Sequence, residues 1–351
     1  MKCGYKACFI IVVSTLIVSL IPAGSSFAFY QEEEVEEEMT PEEYEAYNEQ
    51  YNAYMAATEE QDPLKRGDML LEFLAKYPHS KDFESYVVTA YEQLLFSCSD
   101  NGKYQELGTL AEKWLERNPN DLQTLAYAAS AAMALKDDEK SLKYLLKIYE
   151  IEPTVDRALA VAQTYDKLGN FQKYVEWCET VFTYPEYSVD YTLRFNLVQR
   201  FLKKEDLVKA SAYASKTLKA LDAAEKPDAE TQKKFRQIRR NCNHVIALNL
   251  FQEEKYKEAI KFFENALKNE KYQEGFYYIA ECYWRLMDPE TAHDYFAAAE
   301  LMGGPLTQAA KEKKEKLYKP LHNQTLVGIE KVHKRAQAIL DRYPDPVGTH
   351  S

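Results

Sequence analysis

Apolar and small residues recur three and four positions apart along this chain, the spacing that lines one face of an α-helix. The stretch KYKEAIKFFENALKNE, residues 255–270, shows it with Ala259, Phe263 and Ala266 on one side and charges on the other. Read this way, the pattern predicts little or no sheet and seven helical pairs: residues 41–78, 84–119, 121–153, 154–185, 188–222, 229–270 and 272–302. Thr40-Pro41-Glu42-Glu43 supplies a start, with an N-cap, a proline at the first helical position and acids in the first turn. Asp62-Pro63 starts the second helix of that pair, and Pro227-Asp228 caps a longer one. Gly303-Gly304-Pro305 ends the run. Two polar helices, near 306–318 and 321–341, are expected to be the solubilising cap that repeat arrays need. Residues 342–351 are expected to fray.

The second helices share a register. Aligned on the residue that opens each one, Leu107, Ser141, Tyr174, Ala210, Ala259 and Ala292 are separated by 34, 33, 36, 49 and 33 residues. Two antiparallel helices approach closely only where small side chains meet, and bulky residues at the other marks fill the space between pairs.

These marks resemble the tetratricopeptide repeat (TPR) family. Residues 243–269 carry the signature most fully with Ala247, Leu250, Ala259, Phe263 and Ala266, and the next unit repeats it with Ala280, Tyr283, Ala292, Phe296 and Ala299. Two central units give Ala129, Ala132, Ser141, Leu145, Ile148 and Pro153, then Ala162, Tyr165, Tyr174, Cys178, Val181 and Pro185. Tyr174 and Leu107 depart from the usual alanine, and the family's opening tryptophan is absent. The resemblance implies an all-α fold, a right-handed α-α superhelix of about seven helical pairs with C-terminal capping helices. It also implies binding of other proteins on the concave surface that the first helices line.

Composition agrees with helices. Of 351 residues, 46% are apolar, 28% are charged and only 11 are glycine. The net charge of -12 is local: Phe29 to Leu64 holds twelve Glu and Asp62 with no Lys or Arg, and residues 65–351 sum to -1. A body so balanced argues against nucleic acid and against an anionic membrane surface as partners. The acidic stretch, residues 29–40, is expected to be a disordered tether, with a lure for a basic partner as the alternative.

Residues 1–28 have the form of a secretory signal peptide: Lys2 and Lys6, the apolar run Phe9–Ile21, then Ser26-Phe27-Ala28 as a small-residue cleavage site. The run is shorter than the roughly 20 residues that span a bilayer, so cleavage after Ala28 is expected in preference to an uncleaved anchor. That implies a periplasmic or secreted protein. Four cysteines then remain, Cys98, Cys178, Cys242 and Cys282, at no metal-binding spacing. They suit buried core positions, with disulfides as the alternative in an oxidising compartment.

No catalytic constellation is visible. The six histidines are scattered and read as surface residues, and no nucleophile elbow, phosphate loop, dinucleotide fingerprint or zinc-protease motif occurs. No cofactor or metal is therefore expected. The candidate protein-binding residues lie three before, one after and four or five after the small residue of each first helix. In three late pairs they are Phe195, Gln199, Leu202 and Lys203; His244, Leu248, Phe251 and Gln252; and Tyr277, Glu281, Trp284 and Arg285. Aromatics among amides and an arginine are the composition of binding hot spots. The alternative is that Phe251 and Trp284 pack against a neighbouring repeat or the C-terminal helices. The sequence thus points to an exported scaffold for proteins or peptides of the cell envelope. Its rival is a carbohydrate-handling module whose tyrosines, Phe251 and Trp284 stack on glycans.

Overall fold

The computed structural model describes residues 39–346 apart from 79, 81, 225–227 and 322. The expected signal peptide, most of the tether, and residues 347–351 lie outside them, as do Pro227, His79, His322 and His350. Among the described residues there are sixteen α-helices and no strand. They are α1 (Pro41–Glu59), α2 (Pro63–Lys76), α3 (Glu84–Asp100), α4 (Tyr104–Arg117), α5 (Leu122–Ala134), α6 (Asp138–Ile151), α7 (Val155–Lys167) and α8 (Phe171–Val181). Next come α9 (Tyr191–Lys203), α10 (Leu207–Ala223), α11 (Ala229–Gln252), α12 (Tyr256–Leu267), α13 (Gln273–Arg285), α14 (Pro289–Met302), α15 (Thr307–Leu321) and α16 (Ile329–Leu340).

The chain divides into two units, residues 1–53 and 54–351. The described part of the first is the start of α1, where a reciprocal cap forms. Thr40 N–H donates to Glu43 Oε2 at 2.8 Å, and Glu43 N–H donates to Thr40 Oγ1 at 3.3 Å.

In the second unit one turn is used six times. Between the two helices of a pair the chain passes through a residue in the left-handed region: Gly102, Lys136, Gly169, Glu205, Glu254 and Met287, with φ between 58° and 72°. The residue after each closes a six-residue ring to the helix just ended, as in Asp137 N–H to Ala132 O at 2.9 Å and Asp288 N–H to Tyr283 O at 3.0 Å. The left-handed residue itself bonds three back, as in Lys136 N–H to Met133 O at 3.1 Å. This is the Schellman ending. In four of the six the closing residue also caps the next helix, its side chain accepting from the N–H three residues on: Asp137, Asn170, Asp206 and Asp288. One short turn thus ends one helix and starts the next, which makes the pair antiparallel.

The pairs α5 with α6, α7 with α8, α9 with α10, α11 with α12 and α13 with α14 pack closely, and each except α7 with α8 also packs closely on the helix that follows; there the junction is made by long side chains, the Phe171 ring of α8 lying 5.0 Å from that of Phe201 on α9. The register residues sit where they meet. Leu107, Ser141, Ala210, Ala259 and Ala292 are fully buried, as are Phe263 and Phe296. Tyrosines carry much of the space-filling between pairs, with Tyr91, Tyr144, Tyr174, Tyr213 and Tyr295 all buried. The four described cysteines are buried free thiols, and burial pushes Cys242 and Cys282 up to about 12.

Three expectations need correction. His244 and His293 are not surface histidines: His244 lies edge-on among Phe263, Tyr272 and Tyr278, and His293 is buried with its Nδ1 2.9 Å from Asp294 Oδ1. The C-terminal helices cap the last pair as expected, through an apolar inner face: Val332, Ala336, Ile339 and Leu340 of α16 join the core of α13 and α14. The second begins at Ile329 and not near 321, after left-handed residues at Asn323, Gln324 and Gly328. Within the stretch expected to fray, Lys271 N–H donates to Pro344 O at 2.9 Å and the Tyr343 ring lies 5.7 Å from that of Phe276.

Candidate functional site

The first-helix face is built by residues one and four places after the small mark of each first helix. The marks Ala129, Ala162, Ala247 and Ala280 are all buried, which turns the positions beside them outward in the same sense from repeat to repeat. What differs along the chain is what lies on top.

From α5 to α9 this face is open. Ala126, Gln163 and Gln199 are exposed, and Met133 and Leu202, both four places after the mark, are exposed apolar side chains at 43% and 38%. Lys203 is exposed beside them, whereas Phe195 turns inward onto the core of α9 and α10. Between Met133 and Leu202 in register stands Asp166. Arg200 holds it through two bonds, Nη1 to Oδ1 at 2.5 Å and Nη2 to Oδ2 at 2.8 Å, and the same guanidinium lies 4.6 Å from the Tyr174 ring centroid. The paired carboxylate keeps Arg200 above its ordinary range.

On α11 the candidates are core residues. His244 Nδ1 is 2.9 Å from the Tyr272 hydroxyl, and burial together with the nearby Arg240 charge holds its imidazole down at about 4. Leu248 and Phe251 are half-buried against the same cluster, Phe251 between Tyr256 and Tyr278 at 5.5 Å from each; only Gln252 is exposed.

On α13 the face is occupied by the chain itself. Lys313 of α15 forms an ion pair with Glu281, a residue only 5% exposed, and its ammonium lies 4.9 Å from the Trp284 ring centroid and 5.6 Å from that of Tyr277. Gln273 ties the start of α15 down, donating to Ala299 O and to Thr307 Oγ1, each at 2.9 Å, and accepting from Leu306 N–H at 2.8 Å. Arg285 remains exposed. Of the twelve candidate residues, Gln199, Leu202, Lys203, Gln252 and Arg285 are therefore solvent-facing, and the structure does not bring the rest into one open groove. The residues missed from sequence are Arg200 and Lys313. A 34-residue offset between opposite charges at register positions was the available signal for the first; nothing local marked the second.

Apart from Glu60, whose carboxylate is held down at about 2 by hydrogen bonds from Lys65 and the Asp62 backbone, the titratable groups furthest from their ordinary values are buried tyrosines, cysteines and His244, moved mainly by desolvation and distributed through the core. Among the described residues no group of three or more His, Cys, Asp or Glu could hold a metal ion, and no helix is long and apolar enough to cross a membrane.

No protein-family model and no curated protein matches the chain. Solved structures similar to it include a tetratricopeptide repeat protein from Parabacteroides merdae, at 16% identity over 78% of this chain and 99% of that one, with a TM-score of 0.32. Another is the C-terminal part of a TPR repeat-containing protein from Cytophaga hutchinsonii, at 15% identity over 76% and 98%, with a TM-score of 0.36. A third is YrrB, described as a TPR protein with an unusual peptide-binding site, at 16% identity over 57% and 97%, with a TM-score of 0.36. The fold assignment rests on this chain's own turns and helix pairs. Six Schellman turns at repeat spacing, small residues buried where paired helices meet, and each pair stacked on the next make this a TPR-like helical-repeat protein.

Proposed function

We propose that this chain is a non-catalytic scaffold that binds segments of other proteins on the first-helix face of α5, α7 and α9. One observation carries the reading. On α13 the same face already holds a polypeptide segment, α15, through the Lys313–Glu281 pair and the rings of Tyr277 and Trp284. The register that places Trp284 there places Leu202 on α9 and Met133 on α5, where no other part of the described chain covers them and apolar side chains stand exposed among amides. A partner segment burying Leu202 and Met133 would gain the usual benefit of removing apolar area from water. The signal-peptide-like pattern of residues 1–28 supports the cell envelope as the place of this work.

The test is capture of cross-linked partners from intact envelopes by the parent and by Gln199→Arg/Leu202→Asp, a change confined to exposed side chains. A defined set of envelope proteins lost in the variant supports the reading. The same set retained contradicts it. Phe251 and Trp284 are unsuitable for this purpose, because truncating either opens the core.

A further inference from the structure

A second site lies away from the first-helix face, between α8, α9 and α10. Two equivalent cavities occur in this chain, two repeats apart. In each, a glutamate on the earlier second helix is gripped from the later one. Tyr144 and Lys140 of α6 reach Glu112 Oε1 on α4 at 2.7 and 2.8 Å, and Tyr213 and Lys216 of α10 reach Glu179 Oε1 on α8 at 2.5 and 2.7 Å. The cavities beside them measure about 360 and 450 Å³.

The glutamate and the tyrosine are shared in register, the bonding lysine comes from a different turn in each (Lys216 stands in register with Lys147), and the charge differs further. Around the earlier cavity Glu112 and Glu116 balance Lys143 and Lys147. Two repeats on, Thr183 stands in register with Glu116, Arg194 with Leu125 and Lys219 with Glu150. These three exchanges outweigh the one in the opposite direction, Ala212 in register with Lys143, so the later cavity is the more positive, and Glu179 there faces Arg194, Lys216 and Lys219. In a body that is almost neutral this is a concentrated departure. The connection differs as well. Nine residues join α8 to α9, including a 3-10 turn at Pro185–Tyr187, against four in the equivalent connection between α4 and α5. The longer loop brings Ser188 and Val189 to the cavity as a wall, with Val189 44% exposed.

The donors are not used up. Arg194 is 8% exposed, stacked 3.8 Å from the Phe182 ring centroid, and both its bonds, to Tyr187 O and Asp190 O, come from Nη1. Its Nε and Nη2 have no partner among the described residues. Lys219 is exposed and makes no ion pair among them either. Both bonds to Glu179 fall on Oε1, so Oε2 is left to accept.

We propose that this cavity binds an acidic peptide segment, a side-chain carboxylate seated among Arg194, Lys216 and Lys219 while a backbone N–H of the same segment donates to Glu179 Oε2. Val189 and Ala220 supply an apolar surface for the stem of the acidic side chain. A free inorganic anion would use the cations but would leave that apolar wall unused. Glu179 repels a second charge, which favours one carboxylate at a time over phosphate. The site goes beyond the reading of the first-helix face and does not depend on it.

Fluorescence anisotropy of the full chain with a labelled, acetylated hexaglutamate peptide tests it, at low ionic strength, with hexaglutamine as the comparison peptide. Lys219→Glu, an exposed change that restores the charge found two repeats earlier, should weaken hexaglutamate binding about tenfold or more, the loss of a charge-assisted contact. Glu150→Lys changes the net charge by as much in the opposite sense at the equivalent position beside the neutral cavity, and should leave the affinity unchanged. Leu202→Asp should also leave it unchanged. The proposal is overturned if Lys219→Glu binds as the parent does, if the parent prefers hexaglutamate no more than hexaglutamine, or if Glu150→Lys tightens binding and so reveals unspecific charge attraction. Displacement of the peptide by equimolar inorganic phosphate would reassign the cavity to a free oxyanion and would overturn it equally.

Discussion

Arg200 and Asp166, 34 residues apart, join two consecutive first helices by a two-bond guanidinium–carboxylate contact at 2.5 and 2.8 Å. The pair lies on the open face between Met133 and Leu202 in register, so it is both a strut and part of the surface a partner would meet. Each side chain is more than a third exposed, and solvent screens the attraction accordingly. Asp166→Ala should therefore cost only about 0.5 kcal/mol in urea unfolding. Arg200→Ala should cost more, because it also strips the cover from the Tyr174 ring. Equal costs would show that the stacking contributes nothing.

The small-residue mark can be probed from both sides. Ser141 occupies it fully buried, with a hydroxyl that finds no partner among the described residues. Ser141→Ala should stabilise the protein by about 1 kcal/mol, since it removes an unsatisfied polar atom at almost constant volume. Ala259 holds the same mark two pairs from the C-terminal end of the repeats, and Ala259→Leu should cost about 1–3 kcal/mol by overpacking. Thermal melts of both variants check the signs. A destabilising Ser141→Ala would mean that the hydroxyl is satisfied.

His244 makes stability depend on pH in a defined window. Its imidazole is held at about 4 when folded and returns to about 6.5 when unfolded, so the unfolded chain binds the extra proton between those values. Stability from this group is fully present above about 6.5 and is lost as pH falls toward 4, with a slope of at most about 1.4 kcal/mol per pH unit. His244→Gln keeps a partner for the Tyr272 hydroxyl and cannot titrate. Denaturant midpoints of the parent should fall faster than those of the variant from pH 6.5 to 4.5, and parallel curves would contradict the assignment.

The C-terminal helices are held to the repeats by a buried charge. Lys314 is 2% exposed and bonds Glu300, with His333 Nε2 at 2.7 Å on its other side. Glu300→Ala strands that ammonium and should cost about 3–5 kcal/mol, whereas adding Lys314→Met to the same variant should recover most of the loss. Hydrogen exchange of α15 and α16 reports the effect locally. A double variant no more stable than Glu300→Ala would show that the pair does not act as a unit.

The repeat register was legible because it follows from contact between helices. Only small side chains fit where Ala210, Ala259 and Ala292 sit, and that requirement writes a period into the chain. The turns were hidden for the opposite reason. Four of the six left-handed residues are Lys136, Glu205, Glu254 and Met287, which local propensity disfavours there and the surrounding helix pair imposes. For the site, spacing revealed which residues share the first-helix face, but not which repeats are covered. The covering segment, KEKKEKLYK in α15, reads as solvated because its charges cannot show that Glu281 and Glu300 await Lys313 and Lys314 on other helices. His244 was misplaced in the same way, its partner Tyr272 lying 28 residues further on.

The most direct measurement is site-specific photo-crosslinking from the intact cell envelope, with a photoreactive residue at Leu202 on the first-helix face and, separately, at Lys261, an exposed position on α12 that lines neither site. Discrete adducts with envelope proteins are expected from position 202 and none of those adducts from position 261. Equal labelling from both positions, or adducts from 261 alone, would overturn a scaffold that works through the first-helix face.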